Sequence, residues 1–394
     1  MKRETGIRNA EEGNRAHYSE PAPGLAEGVV MSAVPVQAAG STWTVRPSQA
    51  GDESQLAALF AAVFGQPMTE AQWRWKLCSQ PSPVPNSWVA EAGGRITGHY
   101  GGMPMRYRLD GCEVLVMHGC NAMTAADSRR QGILSAVHGR ANEVWKQAGI
   151  PFQTGLHYGG WGSRREFLGW VPLFKLVWVN QPLRPFRRAA RRATLPGRPL
   201  QPLDALWREF WDRRLAMTRG DPRGVPVTIR EVAEAGREFD ILWAAAGRSY
   251  ANVAVRDRAW VERRYFAAPD HGYRVLLAER GGAPAGYLVY RVGHIGTVSD
   301  TGWIADLFAA PEATAVRRAL LRRALAELHA AGTESAVALV PAGSFLHREL
   351  RQAGFLFGRG DYDFSIVPFD PALPVDTLRD SARWFLTGGD FDVV

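Results

Sequence analysis

A short basic loop before a predicted helix is the first candidate for chemistry. It reads Arg129, Arg130, Gln131 and Gly132, and the helix continues through Ile133, Leu134 and Ser135. A glycine at such a turn lets the backbone approach a ligand closely. The first N–H groups of a helix lack intrahelical partners, and the helix dipole favours anions there. The amides of residues 131–135 are therefore predicted to bind a phosphate-containing anion, and the alternative is a plain turn.

Two histidines and a tyrosine lie on predicted strands that flank this loop and helix. His118 precedes Gly132 by fourteen residues, and His157 and Tyr158 end the strand that follows the helix. An imidazole titrates near neutral pH, so either histidine is a candidate general base. The alternative interpretations are a hydrogen-bonded core residue for His118 and a loop-packing pair for the other two.

Composition restricts the class of protein. The net charge of +8 and the pI near 9.7 favour binding of polyanions without identifying which one. Cys78, Cys112 and Cys120 are too few for a disulfide framework, and no Cys/His cluster has zinc-ligand spacing, so we expect no metal and a reducing cytoplasm. We expect no membrane span, because no segment approaches the roughly 20 apolar residues that a span needs.

The elements that must position the loop are those of a mixed α+β domain. Residues 1–41 are predicted to be a disordered leader, followed by a strand at 42–46 and a helix capped by Asp52. A hairpin turns at Gly93-Gly94, and further strands are predicted at 107–109 and 113–123. An amphipathic helix from Ile133 to Trp145 then leads to a strand at 152–156.

An internal repeat divides the 394-residue chain into two halves. At one offset of 188 residues, five positions around the first hairpin recur around a second one: Pro81, Ala90, Glu91, Gly94 and Gly98 match Pro269, Ala278, Glu279, Gly282 and Gly286. Gly169-Trp170 and Gly354-Phe355 recur at nearly the same spacing. A repeat of a whole domain is therefore predicted.

The loop and its surroundings resemble the GCN5-related N-acetyltransferases (GNAT superfamily). Their Arg/Gln-x-x-Gly-x-Gly/Ala signature, which binds the coenzyme A pyrophosphate, is matched by Arg129-x-x-Gly132-x-Leu134, with Leu134 replacing the small residue. The segments 45–47, 91–98, 123–132 and 168–170 are similar too, and residues 384–394 resemble the tails of two-domain bacterial members. The resemblance implies tandem GNAT folds, each a mixed, mostly antiparallel sheet flanked by helices.

This resemblance implies domain boundaries and ligand contacts. We expect an acyl-CoA-binding domain at 42–182, a basic helical linker at 183–225 and a GNAT-like domain at 226–394. Acetyl-CoA or another acyl-CoA is the implied co-substrate. Its pyrophosphate is expected on residues 129–135, and its pantetheine amides on the main chain of three strand residues, Ala122, Met123 and Thr124.

The resemblance also implies the chemistry, an acyl transfer from coenzyme A to a primary amine of a small molecule or peptide. His118 matches the strand position of the carboxylate base in histone-type members, and His157 and Tyr158 lie where the family splays its central strands. Arg165 replaces the usual tyrosine acid, so Tyr158, Ser163 or solvent is left to protonate the thiolate, and Glu166 is a further possible base.

Two features leave the function open. In the second half, Pro311 and Glu312 precede the counterpart helix without a glycine loop, so this copy is expected not to bind coenzyme A. A predicted basic helical face could dock an acidic acyl-carrier protein as acyl donor: Arg184, Arg187, Arg188, Arg191 and Arg192. Nucleic acid is the least expected partner, and an acyl-CoA-sensing module without turnover is the alternative to an enzyme.

Overall fold

The computed structural model describes residues 36–37, 42–78, 81–158, 164–193, 200–216, 226–294 and 297–392. The strands and helices up to Ala216 are β1 (Val36–Gln37), β2 (Thr44–Pro47), α1 (Glu53–Phe64), α2 (Glu70–Trp73), β3 (Ser87–Ala92), β4 (Arg95–Leu109), β5 (Cys112–Thr124), α3 (Ile133–Gln147), β6 (Phe152–His157), α4 (Arg164–Phe167), β7 (Val171–Pro182), α5 (Pro185–Arg192) and α6 (Gln201–Ala216).

The later elements repeat much of this order. They are β8 (Val227–Val232), α7 (Glu238–Ala246), β9 (Asn252–Ala254), α8 (Arg258–Val261), β10 (Arg274–Arg280), β11 (Ala283–His294), β12 (Thr297–Ala309), α9 (Thr314–Ala330), β13 (Ser335–Pro341), α10 (Phe345–Gln352), β14 (Leu356–Pro368), α11 (Val375–Leu378) and β15 (Trp384–Phe385). The predicted α+β class and mixed sheet are confirmed, since β5–β6 and β12–β13 pair parallel and most other neighbours pair antiparallel.

The two halves share one sheet because they exchange strands. The order along the sheet is β1-β2-β3-β4-β5-β6-β14-β7-β13-β12-β11-β10-β8. Strand β14 therefore lies between β6 and β7, with Ser365 opposite Gly155, while β7 lies beside β13, with Asn180 opposite Val337. The predicted boundaries of 42–182 and 226–394 thus cut through continuous strand pairing.

The matched hairpins have the same irregularity. Strands β3 and β4 shift register between Ala90 and Glu91, and β10 and β11 shift between Ala278 and Glu279. These positions differ by the 188-residue offset of the sequence repeat. The hairpin correspondence read from the sequence is therefore present in three dimensions.

Two expectations about strands were wrong. Val36–Gln37 pairs with Thr44–Pro47, so not all of residues 1–41 lacks structure; residues 1–35 and 38–41 lie outside the described residues. The strand predicted at 107–109 is the end of a single strand, β4, that continues through Gly101 and Gly102. A Cβ at Gly102 would lie 2.7 Å from the Trp145 ring, so glycine here allows helix α3 to pack closely rather than ending the strand.

Helix α3 is held against the sheet by its apolar side. Ile133, Val137, Ala141 and Trp145 are buried in one core cluster with Trp88 from β3. At its first turn the Cγ2 atom of Ile133 fills the space above Gly98, where an added Cβ would lie 2.3 Å away. This packing sets the position of the basic loop that precedes the helix.

Candidate functional site

A cleft opens where two parallel strands diverge. Strands β5 and β6 pair only at Met117–Gln153 and His118–Thr154, and beyond these residues the two strands separate. The cleft has a volume of about 1430 Å³ and reaches from the start of α3 to side chains of the second half. The splayed strands inferred from the family resemblance are therefore present.

The basic loop forms one end of this cleft. Arg130 has φ 66° and Gly132 φ 78°, so the chain makes two left-handed steps before α3 begins. Gly132 is the N-cap residue without a side-chain cap, and the first helical bond runs from the Ala136 N–H to the Gly132 carbonyl. The N–H groups of residues 133–135 therefore remain available at the mouth of the cleft.

Most of the predicted cofactor residues line the cleft. They are Ala122, Thr124, Arg129, Arg130, Gly132, Ile133, Leu134 and Ser135. Gln131 is exposed outside it, and the Met123 side chain points into the core, 1 % exposed. Beside these residues, Asn121 has φ 51° at a bulge where β5 shifts register against β4.

The carboxylate of Asp392, in the second half, lines the cleft and was not predicted from the sequence. Lys76 Nζ forms an ion pair with Asp392 and donates a hydrogen bond to Asp392 Oδ2 at 2.8 Å. Lys76 also donates to Asn121 Oδ1 at 2.8 Å. Asp392 Oδ1 lies 3.6 Å from His118 Nε2. Burial alone would raise the pKa of Asp392, but the Lys76 ammonium and His118 together hold that pKa well below its ordinary value.

The predicted base His118 lies beneath this carboxylate rather than in the cleft wall. Its side chain is fully buried, its Nδ1 lies 3.0 Å from the Thr154 hydroxyl, and its ring contacts Phe391. A substrate in the cleft meets Asp392 first. The expectation that His118 itself touches the amine is therefore not supported by its position.

The tail segment, residues 387–392, is held in place by two arginines. Arg264 donates to the carbonyls of Gly389 and Phe391 at 2.8 and 2.7 Å. Arg256, fully buried, binds Asp390 at 2.7 Å and Asp306 at 3.1 Å. These contacts direct residue 392 into the cleft of the first half.

His157 and Tyr158 both line the cleft, as predicted, but with different burial. His157 is 3 % exposed and packs edge-on against Trp170, whereas Tyr158 is 61 % exposed. Burial and the neighbouring Arg165 lower the pKa of His157 to about 4, so its imidazole is neutral at pH 7. Arg165 pairs with Asp363, Glu166 lies on the short helix α4, and Ser163 lies outside the described residues.

The corresponding region of the second half is filled by protein. Helix α9 begins after Ala313, and the buried Arg317 donates to the carbonyls of Ala310 and Pro311 in front of it. Asp306, which matches His118 at the 188-residue offset, is buried against Arg256 and the tail hydroxyl of Thr387. This end of α9 is thus occupied by an arginine side chain of the protein.

One of the five arginines of the predicted basic face is bound within the protein. Arg184 precedes α5 and donates to the His329 carbonyl at 2.6 Å, so it is bound to the second half. The amides of Phe186 and Arg187 are capped by Asp204. Arg187 is exposed and Arg188 half-buried, while the side chains of Arg191 and Arg192 lie outside the described residues.

Within the described ranges, no helix has the length and apolar character to cross a membrane. Nor do three or more His, Cys, Asp or Glu side chains of this part of the chain gather as a metal site.

Comparison with known proteins identifies the first half. Residues 44–158 match the family model of an acetyltransferase (GNAT) domain. No curated protein is similar enough in sequence to count as a match. Solved structures similar in fold include a conserved protein of unknown function from Enterococcus faecalis V583, a probable N-acyltransferase, at 13% identity and TM-score 0.58, covering 83% of this chain and 72% of that one.

Two GCN5-related N-acetyltransferases are similar in fold as well. The protein from Kribbella flavida has 14% identity and a TM-score of 0.56, with 86% of this chain and 74% of that one covered. The protein from Anabaena variabilis has 12% identity and a TM-score of 0.55, with 82% and 72% covered. Residues 44–158 therefore match an acetyltransferase (GNAT) domain, and the chain as a whole shares its fold with these solved structures.

Proposed function

We propose that this acyltransferase moves an acetyl or longer acyl group from coenzyme A to a primary amine within a ternary complex. One observation carries the proposal: the uncapped start of α3 and the carboxylate of Asp392 face the same cleft. The helix start suits an anionic donor, and the carboxylate suits an amine.

The donor fits the residues around the α3 loop. A Cβ at Gly132 would meet nothing within 4 Å, so the space in front of the helix N-terminus is open. The amides of residues 133–135, with Arg129 and Arg130, would hold the pyrophosphate. The unpaired edge of β5 at residues 122–124 would pair with the pantetheine amides as an added strand does.

The acceptor amine would bind at Asp392. The carboxylate is ionised at neutral pH, so it attracts an amino group and stabilises the positive charge that the nitrogen gains on attack. A carbon–nitrogen bond forms and the carbon–sulfur bond breaks, while one proton leaves the nitrogen through water and one reaches the sulfur. Tyr158, exposed in the cleft, is the proposed proton donor to sulfur, since a phenol is a stronger acid than the N–H group of the neutral His157 imidazole.

Lys76 and His118 are proposed as positioning residues. Lys76 orients Asp392 through a 2.8 Å ion pair, and His118 supports the other carboxylate oxygen from below. The second half is proposed to serve as a wall of the acceptor side, without a coenzyme A site of its own, because Arg317 occupies the entrance of α9.

Calorimetric titration with acetyl-CoA, octanoyl-CoA and desulfo-CoA tests the donor site. We expect one equivalent per chain for wild type and none for Gly132→Glu, whose carboxylate repels the pyrophosphate. Gly149→Glu is the matched control, since Gly149 has φ 77° and equally open space after the other end of α3. Equal binding by both variants would refute the loop assignment, and two equivalents would refute the single site.

An acetyl-CoA turnover assay with a panel of amines tests the reaction. We expect release of coenzyme A thiol that depends on an amine and is lost in Gly132→Glu. Stoichiometric acetyl-CoA binding without turnover of any amine would favour the sensing module instead.

A further inference from the structure

A buried arginine that meets no counterion among the described residues lies beside the cleft. Arg291 is 2 % exposed, and its Nε and Nη2 atoms have no hydrogen-bond partner among the residues that the structure describes. The other two fully buried arginines are paired, Arg256 with Asp306 and Asp390, and Arg317 with Glu349. An unpaired buried charge is costly, so Arg291 differs from them in needing an anion from elsewhere.

The strand register places Arg291 directly behind a wall of the cleft that the second half forms. It lies directly opposite Trp303 in the β11–β12 pair, and directly opposite residues share a sheet face. Trp303 lines the cleft together with His271 and Arg264. The Arg291 Cζ atom lies 5.9 Å from the Trp303 ring centre.

A second unpartnered donor stands next to this arginine. The Tyr273 hydroxyl is buried and has no hydrogen-bond partner in the described part of the chain. The Tyr273 ring centre lies 5.6 Å from Arg291 Cζ, and the ring stacks on His271 at 5.3 Å. A guanidinium and a phenol together offer what a carboxylate accepts, two or more hydrogen bonds of which at least one is charge-assisted.

The charges lining the cleft favour the same ligand class. Among the described lining residues, the cationic side chains are Lys76, Arg129, Arg130 and Arg264, and Asp392 is the single carboxylate. Arg129 and Arg130 belong to the donor loop and Lys76 is paired with Asp392. The cleft wall beyond them presents Arg264 with the rings of His271 and Trp303, and Arg291 lies behind Trp303.

We propose that Arg291 and Tyr273 bind a carboxylate of the acceptor, so the acceptor is an amine that also carries a carboxylate, as an amino acid does. The rings of Tyr273, His271 and Trp303 would pack against an aromatic side chain of that acceptor. This inference rests on the proposed acyl transfer, whose amine it specifies.

Carboxylate binding can be measured without any turnover. Phenylacetate and its neutral analogue phenylacetamide are titrated by calorimetry and thermal shift, with and without saturating acetyl-CoA. We expect phenylacetate to bind wild type about 10- to 100-fold more tightly than it binds Arg291→Met, the effect of one hydrogen bond to a charged group. Phenylacetamide is expected to show no such difference. Arg248→Met, an exposed arginine of the same half, is the matched control.

Arg291→Met is expected to fold, because it removes an unpaired buried charge. Tyr273→Phe provides a milder second test, since it deletes only the hydroxyl. Equal phenylacetate affinity in wild type, Arg291→Met and Tyr273→Phe would overturn the inference. So would phenylacetate binding that acetyl-CoA abolishes and Arg291→Met retains, since that anion would then occupy the donor loop.

Turnover separates this inference from the proposed function. The ratio of kcat/KM for phenylalanine to that for phenylalanine amide is expected to fall about 10- to 100-fold in Arg291→Met. An unchanged ratio would overturn the inference while acyl transfer stands. Arg291-dependent phenylacetate binding in a protein that acylates no amine would refute the proposed function and support the carboxylate site.

Discussion

The ion pair between Lys76 and Asp392 should connect the tail segment to the first half, and its removal has a calculable consequence. Its atoms are 2.8 Å apart, with the lysine side chain 8 % and the aspartate side chain 20 % exposed. Breaking a buried pair costs about 3–5 kcal/mol. For Asp392→Asn we expect a loss near 3 kcal/mol, because the carboxylate is partly exposed and the amide oxygen still accepts from Lys76.

The pH dependence of this loss follows from the direction of the pKa shift. Although burial opposes it, Lys76 lowers the pKa of Asp392 below the unfolded value of 3.8, so the ion pair stabilises the protein above pH 3.8. The difference between wild type and Asp392→Asn should therefore be constant from pH 7 to about 4. It should shrink as the pH falls further, because the unfolded carboxylate then binds a proton.

Urea unfolding of a double-mutant cycle tests this reasoning. We expect Lys76→Met with Asp392→Asn to be less destabilised than the sum of the single variants, by about 1.5 kcal/mol or more. Asp376→Asn is the matched control, since its ion pair with Arg379 involves a 94 % exposed side chain and should contribute about 0–1 kcal/mol. Additive effects within about 0.5 kcal/mol would refute a direct pair and the placement of the tail segment in the cleft.

Three further predictions concern packing, titration and the tail. Gly98→Ala should lower the free energy of unfolding by about 1–3 kcal/mol and weaken acetyl-CoA binding, because its Cβ would lie 2.3 Å from Ile133. The control Gly139→Ala, with open space in α3, should instead raise the free energy of unfolding by about 0.5–1 kcal/mol. Urea unfolding and calorimetric titration measure both variants, and equal stabilities would contradict the packing of Ile133 over Gly98. Burial and Arg165 lower the pKa of His157 from 6.5 to about 4, so the free energy of unfolding falls as the pH drops from 6.5 to 4. In His157→Gln the slope of the free energy of unfolding against pH in this range should be smaller by about 1.4 kcal/mol per pH unit. Wild-type and variant curves that run parallel would contradict this prediction. Arg256→Met should lower the free energy of unfolding by about 3–5 kcal/mol and abolish acyl transfer, because the buried carboxylates of Asp306 and Asp390 lose their cation. Adding Asp390→Asn should restore part of that stability in urea unfolding, and no restoration would contradict the pairing of Arg256 with Asp390.

The loop and the hairpins around the cleft could be predicted from the sequence because their sequence patterns are local. The loop from Arg129 to Ser135 lies between a strand and a helix whose apolar periodicity is intact, and its glycine adopts the left-handed turn that glycine tolerates. The hairpins and their repeat were also predictable, since turn residues and alternation act over a few positions.

The side of the cleft that holds Asp392 was decided only by the tertiary structure. Lys76 and Asp392 are separated by 316 positions and meet because the strand exchange of β7 and β14 joins the halves, while Arg256 and Arg264 hold the tail segment. His118 was recognised as a titratable strand residue, but its burial beneath Asp392 follows from packing.

The contrast between two kinds of buried arginine makes the same point. In the sequence, Arg256 and Arg291 each follow an apolar or aromatic residue, and nothing in the local sequence shows that Arg256 pairs with Asp306 and Asp390. The sequence by itself determined the basic loop at 129–132 and the helix that follows it. Whether a guanidinium meets a carboxylate depends instead on which distant strands lie beside it. The folded sheet decided which of these two arginines meets a carboxylate and which one, behind the cleft wall, meets none among the described residues, because burial and pairing are properties of neighbours in space.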